Sequence, residues 1–276
     1  MEVVLGGISS LLYGFADFLG GEGAKRVPAA AIVLWAGVLS FPLILAVALL
    51  VGGDAGLSDY LLGAAAGMAG AVGLVSLFAG LGRGQAAAVA PTAAAVAAVL
   101  PVMVAVLRGE RPSVLAWVGV LVAIPAIVLS SWVADPGESI RGSVGYGLAA
   151  GLGFGGFTAV IGLTSLESSL LPLITSRAST MLAVLLLTAF GVWRLVRFGS
   201  SPRMLVAGNA ILDVSGNVAL LLAVRAGSLA LAAVAASFYP AVTVLLARLV
   251  NGEHLRGRQI AGIALTVVAM SAIALS

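Results

Sequence analysis

Long apolar stretches separated by short polar connections run along the whole chain. An α-helix rises about 1.5 Å per residue, so about 20 residues are enough to cross the hydrocarbon core of a bilayer. The pattern predicts ten transmembrane helices, at Val3–Gly20, Ala29–Val51, Tyr60–Leu81, Ala86–Leu107, Ser113–Val133, Ser143–Thr164, Pro172–Trp193, Met204–Val224, Leu229–Val250 and Gln259–Leu275.

Pairs of residues 143 positions apart indicate an internal repeat. Gly109-Glu110 and Gly252-Glu253 each follow one apolar stretch and precede the next. Three more pairs of glycines are separated by the same 143 positions: Gly73 and Gly216, Gly84 and Gly227, and Gly119 and Gly262. The chain is therefore predicted to be one five-helix unit written twice, with the first repeat at 1–133, a linker at 134–142 and the second repeat at 143–276.

Two copies of a unit with an odd number of membrane crossings must sit in opposite orientations. Such inverted repeats commonly build secondary transporters, which bind substrate between the repeats near the middle of the bilayer. We therefore expect an all-α integral membrane protein of ten transmembrane helices in two inverted five-helix repeats. Transport is the first function that this architecture suggests.

The composition supports the membrane assignment and excludes several kinds of chemistry. The chain is 61% hydrophobic and 9% charged, with a mean hydropathy of +1.18, whereas soluble domains carry about 25% charged residues. The absence of cysteine excludes disulfides, thiolate metal sites and thiol catalysis, and His254 is the only histidine. No Walker-type Gly-Lys-Ser/Thr motif is present. We expect no metal, no cofactor and no enzymatic activity.

The basic residues are spread singly over short connections, which is typical of topology signals rather than of a nucleic-acid surface. Basic connections favour the cytoplasm. The side reached after helices 1, 3, 5, 7 and 9 holds most of them, namely Lys25, Arg26, Arg83, Arg141, Arg194, Arg197, Arg203, Arg248, Arg256 and Arg258. The other side holds Arg108, Arg111 and Arg225. This distribution predicts that both termini face the cell exterior or the periplasm.

Glycine and proline inside the apolar stretches predict close packing and kinks. The spacing Gly63-x-x-x-Gly67 lets helix backbones approach closely where lipid offers no hydrophobic drive. The glycine of each Gly-Glu pair is expected to end its helix in the left-handed conformation. Five prolines are expected within helices, Pro42, Pro91, Pro101, Pro125 and Pro240.

The second half carries a recognisable pattern. The stretch Ala226–Pro240 ends in Ser-Phe-Tyr-Pro and is followed by Leu249-Val-Asn-Gly-Glu-His254 and by Gly262. This pattern resembles the EamA-type domain of the drug/metabolite transporter superfamily, and the resemblance covers essentially the whole chain. The first half departs from the pattern, because Ala97 stands where Pro240 stands in the second half.

The resemblance implies export or exchange of a small metabolite, amino acid or drug across a bacterial plasma (inner) membrane, without ATP hydrolysis. It more often implies cytoplasmic termini, opposite to what the basic residues predict. A lipid-linked substrate flippase is the alternative within transport, and an intramembrane enzyme is the alternative outside it. The expected partners are a small-molecule substrate, the lipid bilayer and a proton as candidate coupling ion, with no nucleic acid. A monomer or a homodimer fits this interpretation.

Asp213 is the most informative polar residue. It lies near the middle of the eighth segment, with Asn209 and Asn217 one helical turn to either side, so the three side chains share one face. A charge at the centre of a bilayer usually faces an interior or a water-filled cavity and is often functional. Asp213 is therefore expected either to bind substrate or a proton, or to form a structural ion pair.

Further candidates lie in the first, second, seventh and ninth segments. Arg177 is five residues into the seventh segment and is expected to bind a substrate carboxylate, pair with Asp213 or extend to the membrane surface. Asp17 lies late in the first segment, within reach of Lys25 or Arg26. The remaining candidates for the lining of a pocket are Tyr13, Trp35 and Tyr239, followed by Ser9, Thr92 and Ser237.

Overall fold

The architecture is given by a computed structural model. It describes residues 1–83, 85–107, 109, 111–130, 140–197, 202–226, 238–252 and 257–276. These ranges form ten α-helices: α1 (Glu2–Ala24), α2 (Ala29–Val51), α3 (Leu57–Leu81), α4 (Ala86–Leu107), α5 (Val114–Ser130), α6 (Ile140–Ile161), α7 (Leu171–Ala189), α8 (Arg203–Ala226), α9 (Tyr239–Asn251) and α10 (Gly257–Ala274). A short 3₁₀ helix at Leu166–Ser168 lies between α6 and α7.

The all-α prediction is confirmed, because the described ranges contain helices and no strand. Seven helices are long and apolar enough to cross a membrane, namely α1–α4, α6, α7 and α10. Over their described residues α5 and α9 are apolar but shorter. The helix α8 is 24 residues long, but Asn209, Asp213 and Asn217 interrupt its apolar character. Ten membrane crossings stay a prediction.

The observed helix boundaries follow the apolar stretches closely, with the largest difference at the ninth. There α9 begins at Tyr239, which places Pro240 in the first turn rather than the interior. Proline is well tolerated there, because the first N–H groups of a helix have no partner within the helix. Pro42 and Pro125 lie inside their helices as predicted. Gly84, Glu110, Gly227, Ser237, Glu253 and linker positions 134–139 lie outside the described residues.

The glycines of α3 bring neighbouring helices into close contact, as the Gly63-x-x-x-Gly67 spacing predicts. A Cβ atom at Gly63 or Gly67 would collide with backbone oxygens of α7, those of Pro172 and Ser176. Farther along α3, a Cβ at Gly73 would lie 2.7 Å from Cδ1 of Phe154 on α6. The lack of side chains at these positions sets how closely α3 packs against α6 and α7.

The most extensive packing joins helices from different halves of the chain. The helix α3 packs along α6 and α7, α1 along α8, α4 along α6, and α5 along α10. Neighbours in sequence, such as α1 with α2 or α2 with α3, share much smaller contacts. The buried core lies mainly among α1–α4, α7 and α8 and is rich in alanine.

Two glycines at equivalent positions of the sequence repeat end their helices in the same way. Gly109 after α4 has φ +81° and Gly252 after α9 has φ +69°. This is the left-handed region that glycine enters without steric strain. The predicted helix-ending role of both glycines is confirmed.

A buried carboxylate joins the connection before α3 to the connection before α7. Asp59, in the first turn of α3, is 5% exposed. It accepts hydrogen bonds from the Ser165 backbone N–H at 2.7 Å, the Ser165 hydroxyl at 3.0 Å and the Gly56 N–H at 3.0 Å. These bonds fasten the two halves of the chain together at one end of the bundle.

Candidate functional site

A cavity of about 540 Å³ lies among eight of the ten helices. It is within the range of about 300–1,000 Å³ that is typical of small-molecule sites. Its walls are mainly apolar and aromatic, with a small group of charged and polar side chains. The lining residues are Tyr13, Asp17, Ile44, Gly70, Leu74, Phe154, Phe157, Thr158, Leu173, Ser176, Arg177, Thr180, Asp213, Asn217, Leu220, Tyr239 and Met270.

Helical spacing explains why the polar residues meet in this cavity. Residues three or four positions apart lie on the same face of a helix. Tyr13 and Asp17 therefore share one face of α1, and Asp213 and Asn217 share one face of α8. On α7, Arg177 and Thr180 are likewise three positions apart. Six of the eleven candidates from the sequence line the cavity, namely Tyr13, Asp17, Arg177, Asp213, Asn217 and Tyr239. Ser9, Trp35, Thr92 and Asn209 are not among the lining residues, and Ser237 lies outside the described residues.

Arg177 and Asp213 form an ion pair that joins α7 to α8. Nη2 of Arg177 lies 2.5 Å from Oδ2 of Asp213. The side chains of Arg177 and Asp213 are 19% and 25% exposed, so most of the pair is buried. Both side chains still line the cavity. Among the roles that the sequence left open for Arg177, the structure shows the pairing with Asp213.

The two asparagines beside Asp213 make different contacts. Asn217 donates its side-chain N–H to the backbone oxygen of Asp213 at 2.7 Å, within α8. Asn209 is 5% exposed and donates to the backbone oxygen of Ala16 at 2.7 Å. The expectation that Asn209 belongs to the pocket was therefore wrong, because its amide is buried in the α1–α8 contact.

Asp17 lies in the cavity, and no hydrogen bond or ion pair joins its carboxylate to another residue of the described ranges. Lys25, one of the two basic residues predicted to be within reach of Asp17, pairs instead with Glu22 at 2.5 Å, one helical turn away. Asp17 lies eight residues before Lys25, which is more than two turns along the same helix. Within the cavity, the negative charge of Asp213 repels that of Asp17.

Trp35 was also placed wrongly by the sequence. It is the seventh residue of α2, whereas the cavity-lining residue of that helix is Ile44. Nine residues along a helix correspond to about 14 Å. The Trp35 indole N–H donates to the backbone oxygen of Val196 at 2.9 Å, in the connection after α7. Trp35 therefore anchors that connection to α2 rather than lining the cavity.

Several lining residues were missed by the sequence reasoning. Leu173 and Thr180 lie four and three positions from Arg177 on α7, so helical spacing around Arg177 is a signal that predicts them. Ser176 lines the cavity one helical turn before Thr180, but it is adjacent to Arg177 and the same spacing does not predict it. The Thr180 hydroxyl donates to the Gly67 backbone oxygen at 2.8 Å. Phe154 and Phe157 on α6 carry no such signal, since an aromatic residue in an apolar helix is most often part of a packed interface.

The cavity holds more negative than positive groups. Its charged side chains are two carboxylates, Asp17 and Asp213, and one guanidinium, Arg177. With all three ionised, the cavity carries one net negative charge. Two tyrosines flank these groups, and the charge of Asp17 acts on both Tyr13 and Tyr239.

The helices and the cavity define the class of this protein as a multi-pass, all-helical membrane protein, with a mainly apolar cavity that holds a few charged side chains among its helices. No protein-family model matches the chain, and no curated protein is similar to it. In the part of the chain that the structure describes, no group of three or more His, Asp or Glu side chains is placed to hold a metal ion.

Proposed function

We propose that the protein is a secondary transporter of the EamA type, which exports or exchanges a small molecule by alternating access. The observation that carries the proposal is the 540 Å³ cavity, because it places an ion pair and a lone carboxylate among membrane-spanning helices. Charged groups at that depth are rare and usually mark a substrate or ion pathway. A cavity with charged side chains but no transport or binding role would carry the cost of these charges for no benefit.

The helix contacts support the two-repeat architecture that the proposal requires. Exchanging the two halves of the chain turns the pair α3–α6 into the pair α8–α1, and it maps α2–α7 and α5–α10 onto themselves. All four pairs are in contact. This is the pattern expected from a pseudo-two-fold axis between repeats.

Equivalent glycines lie at the exchanged crossings. A Cβ atom would lie 2.7 Å from the Phe154 ring at Gly73 on α3, and 3.0 Å from the Tyr13 ring at Gly216 on α8. The two glycines are 143 residues apart. In each case the first helix of one repeat packs an aromatic ring on the third helix of the other.

In this mechanism the cavity opens in turn to each side of a bacterial plasma membrane. Residues from both halves line it, so a change in the angle between helix groups changes which end is open. The partners are a small molecule, lipid and a proton as coupling ion. No catalytic step is required.

Alternating access is testable by chemical labelling, because the native chain has no cysteine. Ser176 lines the cavity, whereas Ser58 is exposed at the start of α3. A membrane-impermeant maleimide should label Ser176→Cys from either side of oriented vesicles and Ser58→Cys from one side only. Both variants replace serine with a residue of similar size, so they are matched.

Transport itself is measured by counterflow of radiolabelled amines, amino acids and drugs into proteoliposomes, with and without a pH gradient. We expect saturable uptake that Leu220→Trp, inside the cavity, reduces at least tenfold. The lipid-facing Leu121→Trp, whose position is 64% exposed, should retain it. Labelling of Ser176→Cys from a single side under every condition would contradict alternating access and favour a receptor or an intramembrane enzyme.

A further inference from the structure

Among the charged side chains of the cavity, Asp17 is the one without a hydrogen-bond or ion-pair partner in the part of the chain that the structure describes. Asp213 is neutralised by Arg177, and Asn217 is bonded within α8. Asp17 makes no hydrogen bond or ion pair with the described residues, yet it faces the cavity. A carboxylate removed from bulk water is costly unless something compensates its charge. The charge of Asp17 is therefore compensated when a cation sits beside it or when a proton binds to it.

Four aromatic rings line the same cavity as Asp17. Tyr13 lies one helical turn from Asp17 on α1, and Tyr239 lines the cavity from α9. Phe154 and Phe157 add two further rings from α6. The faces of aromatic rings attract cations, and substituted ammonium groups are the ligands best suited to such rings.

The donors of the cavity do not suit a bare metal ion. Calcium takes six to eight oxygen ligands, and magnesium requires nearly ideal octahedral geometry. Here one carboxylate is free, while Asp213 is held by Arg177. A volume of 540 Å³ with apolar walls fits a bulky organic cation instead.

An anionic ligand meets two obstacles in the same cavity. The guanidinium of Arg177 is already bound to Asp213, so an anion has to displace a carboxylate to reach it. It must also approach Asp17, which repels negative charge. The carboxylate of a zwitterion likewise has to displace Asp213 to reach Arg177.

We propose that the cavity binds a monovalent organic cation, a substituted ammonium or phosphonium, with Asp17 as the counter-ion. The Arg177–Asp213 pair remains closed when the cation is bound. The inference rests on the proposed function, in that the cavity is the transport site. Binding alone is nevertheless measurable without transport.

The test compares two ions of the same shape and opposite charge, tetraphenylphosphonium and tetraphenylborate. Equilibrium dialysis of the purified full-length protein in detergent, with protein-free micelles subtracted, should show saturable binding of the phosphonium only. This comparison uses the wild-type protein and does not depend on the folding of any variant. Tighter binding of the borate, or equal binding of both ions, would overturn the proposal.

Variants of Asp17 test the counter-ion. Asp17→Asn should weaken tetraphenylphosphonium binding at least tenfold, and Asp17→Glu should restore most of it. Asp54→Asn is the matched control, because it removes an exposed carboxylate of the α2–α3 connection, and it should bind within twofold of the wild type. Wild-type affinity in a folded Asp17→Asn protein would refute the role of Asp17.

The two proposals fail in different ways. If the phosphonium binds through Asp17 but Ser176→Cys is labelled from one side only, the cation site stands and transport fails. If labelling occurs from both sides but the phosphonium does not bind, transport stands and the cation site fails. Displacement of the phosphonium by an amino acid but not by tetraethylammonium would show that the cavity prefers a zwitterion to a cation. That result would overturn the inference.

Discussion

Arg177 and Asp213 neutralise each other within the cavity, so each depends on the other. Breaking an exposed pair costs about 0–1 kcal/mol, and removing one partner of a fully buried pair costs about 3–5 kcal/mol. At 19% and 25% exposure this pair lies nearer the buried case. The residue that remains would then face the cavity as an uncompensated charge.

We therefore expect Asp213→Asn and Arg177→Gln each to lower the thermal midpoint and the yield of folded protein. The double variant should recover part of the loss, because it leaves no unpaired charge. Size-exclusion chromatography after heating measures both quantities. Lys25→Gln is a suitable control, since it breaks a pair within one helix, and such pairs contribute about 0.2–0.5 kcal/mol. Single variants as stable as the wild type would show that the pair is dispensable.

For individual residues, the sequence predicted which polar side chains lie within the membrane-spanning helices, but it did not predict which residues they contact. The pairing of Arg177 with Asp213 was one of three alternatives, because 36 residues of chain separate them. Lys25 and Arg26 were predicted to be within reach of Asp17, but Lys25 pairs with Glu22, which is only three residues away. Burial of Asn209 against Ala16 depends on the α1–α8 contact, which no local pattern encodes.

Among the helices, α3 shows how a single methyl group can decide packing. A Cβ at Gly67 would collide with the backbone oxygen of Ser176 and with Oγ of Ser179. A backbone atom cannot rotate away, so α3 and α7 must separate. Overpacking of this kind costs about 1–3 kcal/mol.

Gly67→Ala should therefore lower the thermal midpoint of the purified protein. Gly7→Ala on α1 is the matched control, because a Cβ at Gly7 meets nothing within 4 Å. It should leave stability unchanged or raise it by about 0.5–1 kcal/mol, since alanine loses less backbone entropy than glycine in a helix. A Gly67→Ala protein as stable as the Gly7→Ala protein would contradict the close contact of α3 and α7.

Helix existence and most boundaries were predictable from apolar length alone. The largest difference is the start of the ninth helix, at Tyr239, and the ends of α1 and α7 each differ from the prediction by four residues. Proline is compatible both with a helix start and with a kink, and the sequence around Pro240 does not separate these cases. Glycine spacing predicted that α3 is closely packed, but it did not predict that its partners are α6 and α7.

For the molecule as a whole, orientation is the decisive prediction. In an inverted repeat the equivalent connections after α4 and α9 lie on opposite sides of the membrane. Ser113→Cys lies at an exposed position before α5, and Gly257→Cys lies at the exposed first residue of α10. The two should therefore react with an impermeant maleimide from opposite sides. The basic residues further predict that Gly257→Cys faces the cytoplasm.

Labelling of the two variants in right-side-out and inside-out vesicles measures this directly. Reaction of both from the same side would refute the inverted repeat, whatever the protein transports. Reaction from opposite sides with Ser113→Cys cytoplasmic would keep the repeat and reverse the absolute orientation.

The contact of α3 with α6 and α7 has a consequence for synthesis. A ribosome delivers α3 to the membrane before α6 and α7 exist, and chains are made at about 5–20 residues per second. During that interval the bare backbone at Gly63 and Gly67 has only lipid beside it. Until the second half is made, the packing surface of α3 therefore lacks its partner helices. If two genes encoded the halves, the cell would need to make both at the same place and in equal number.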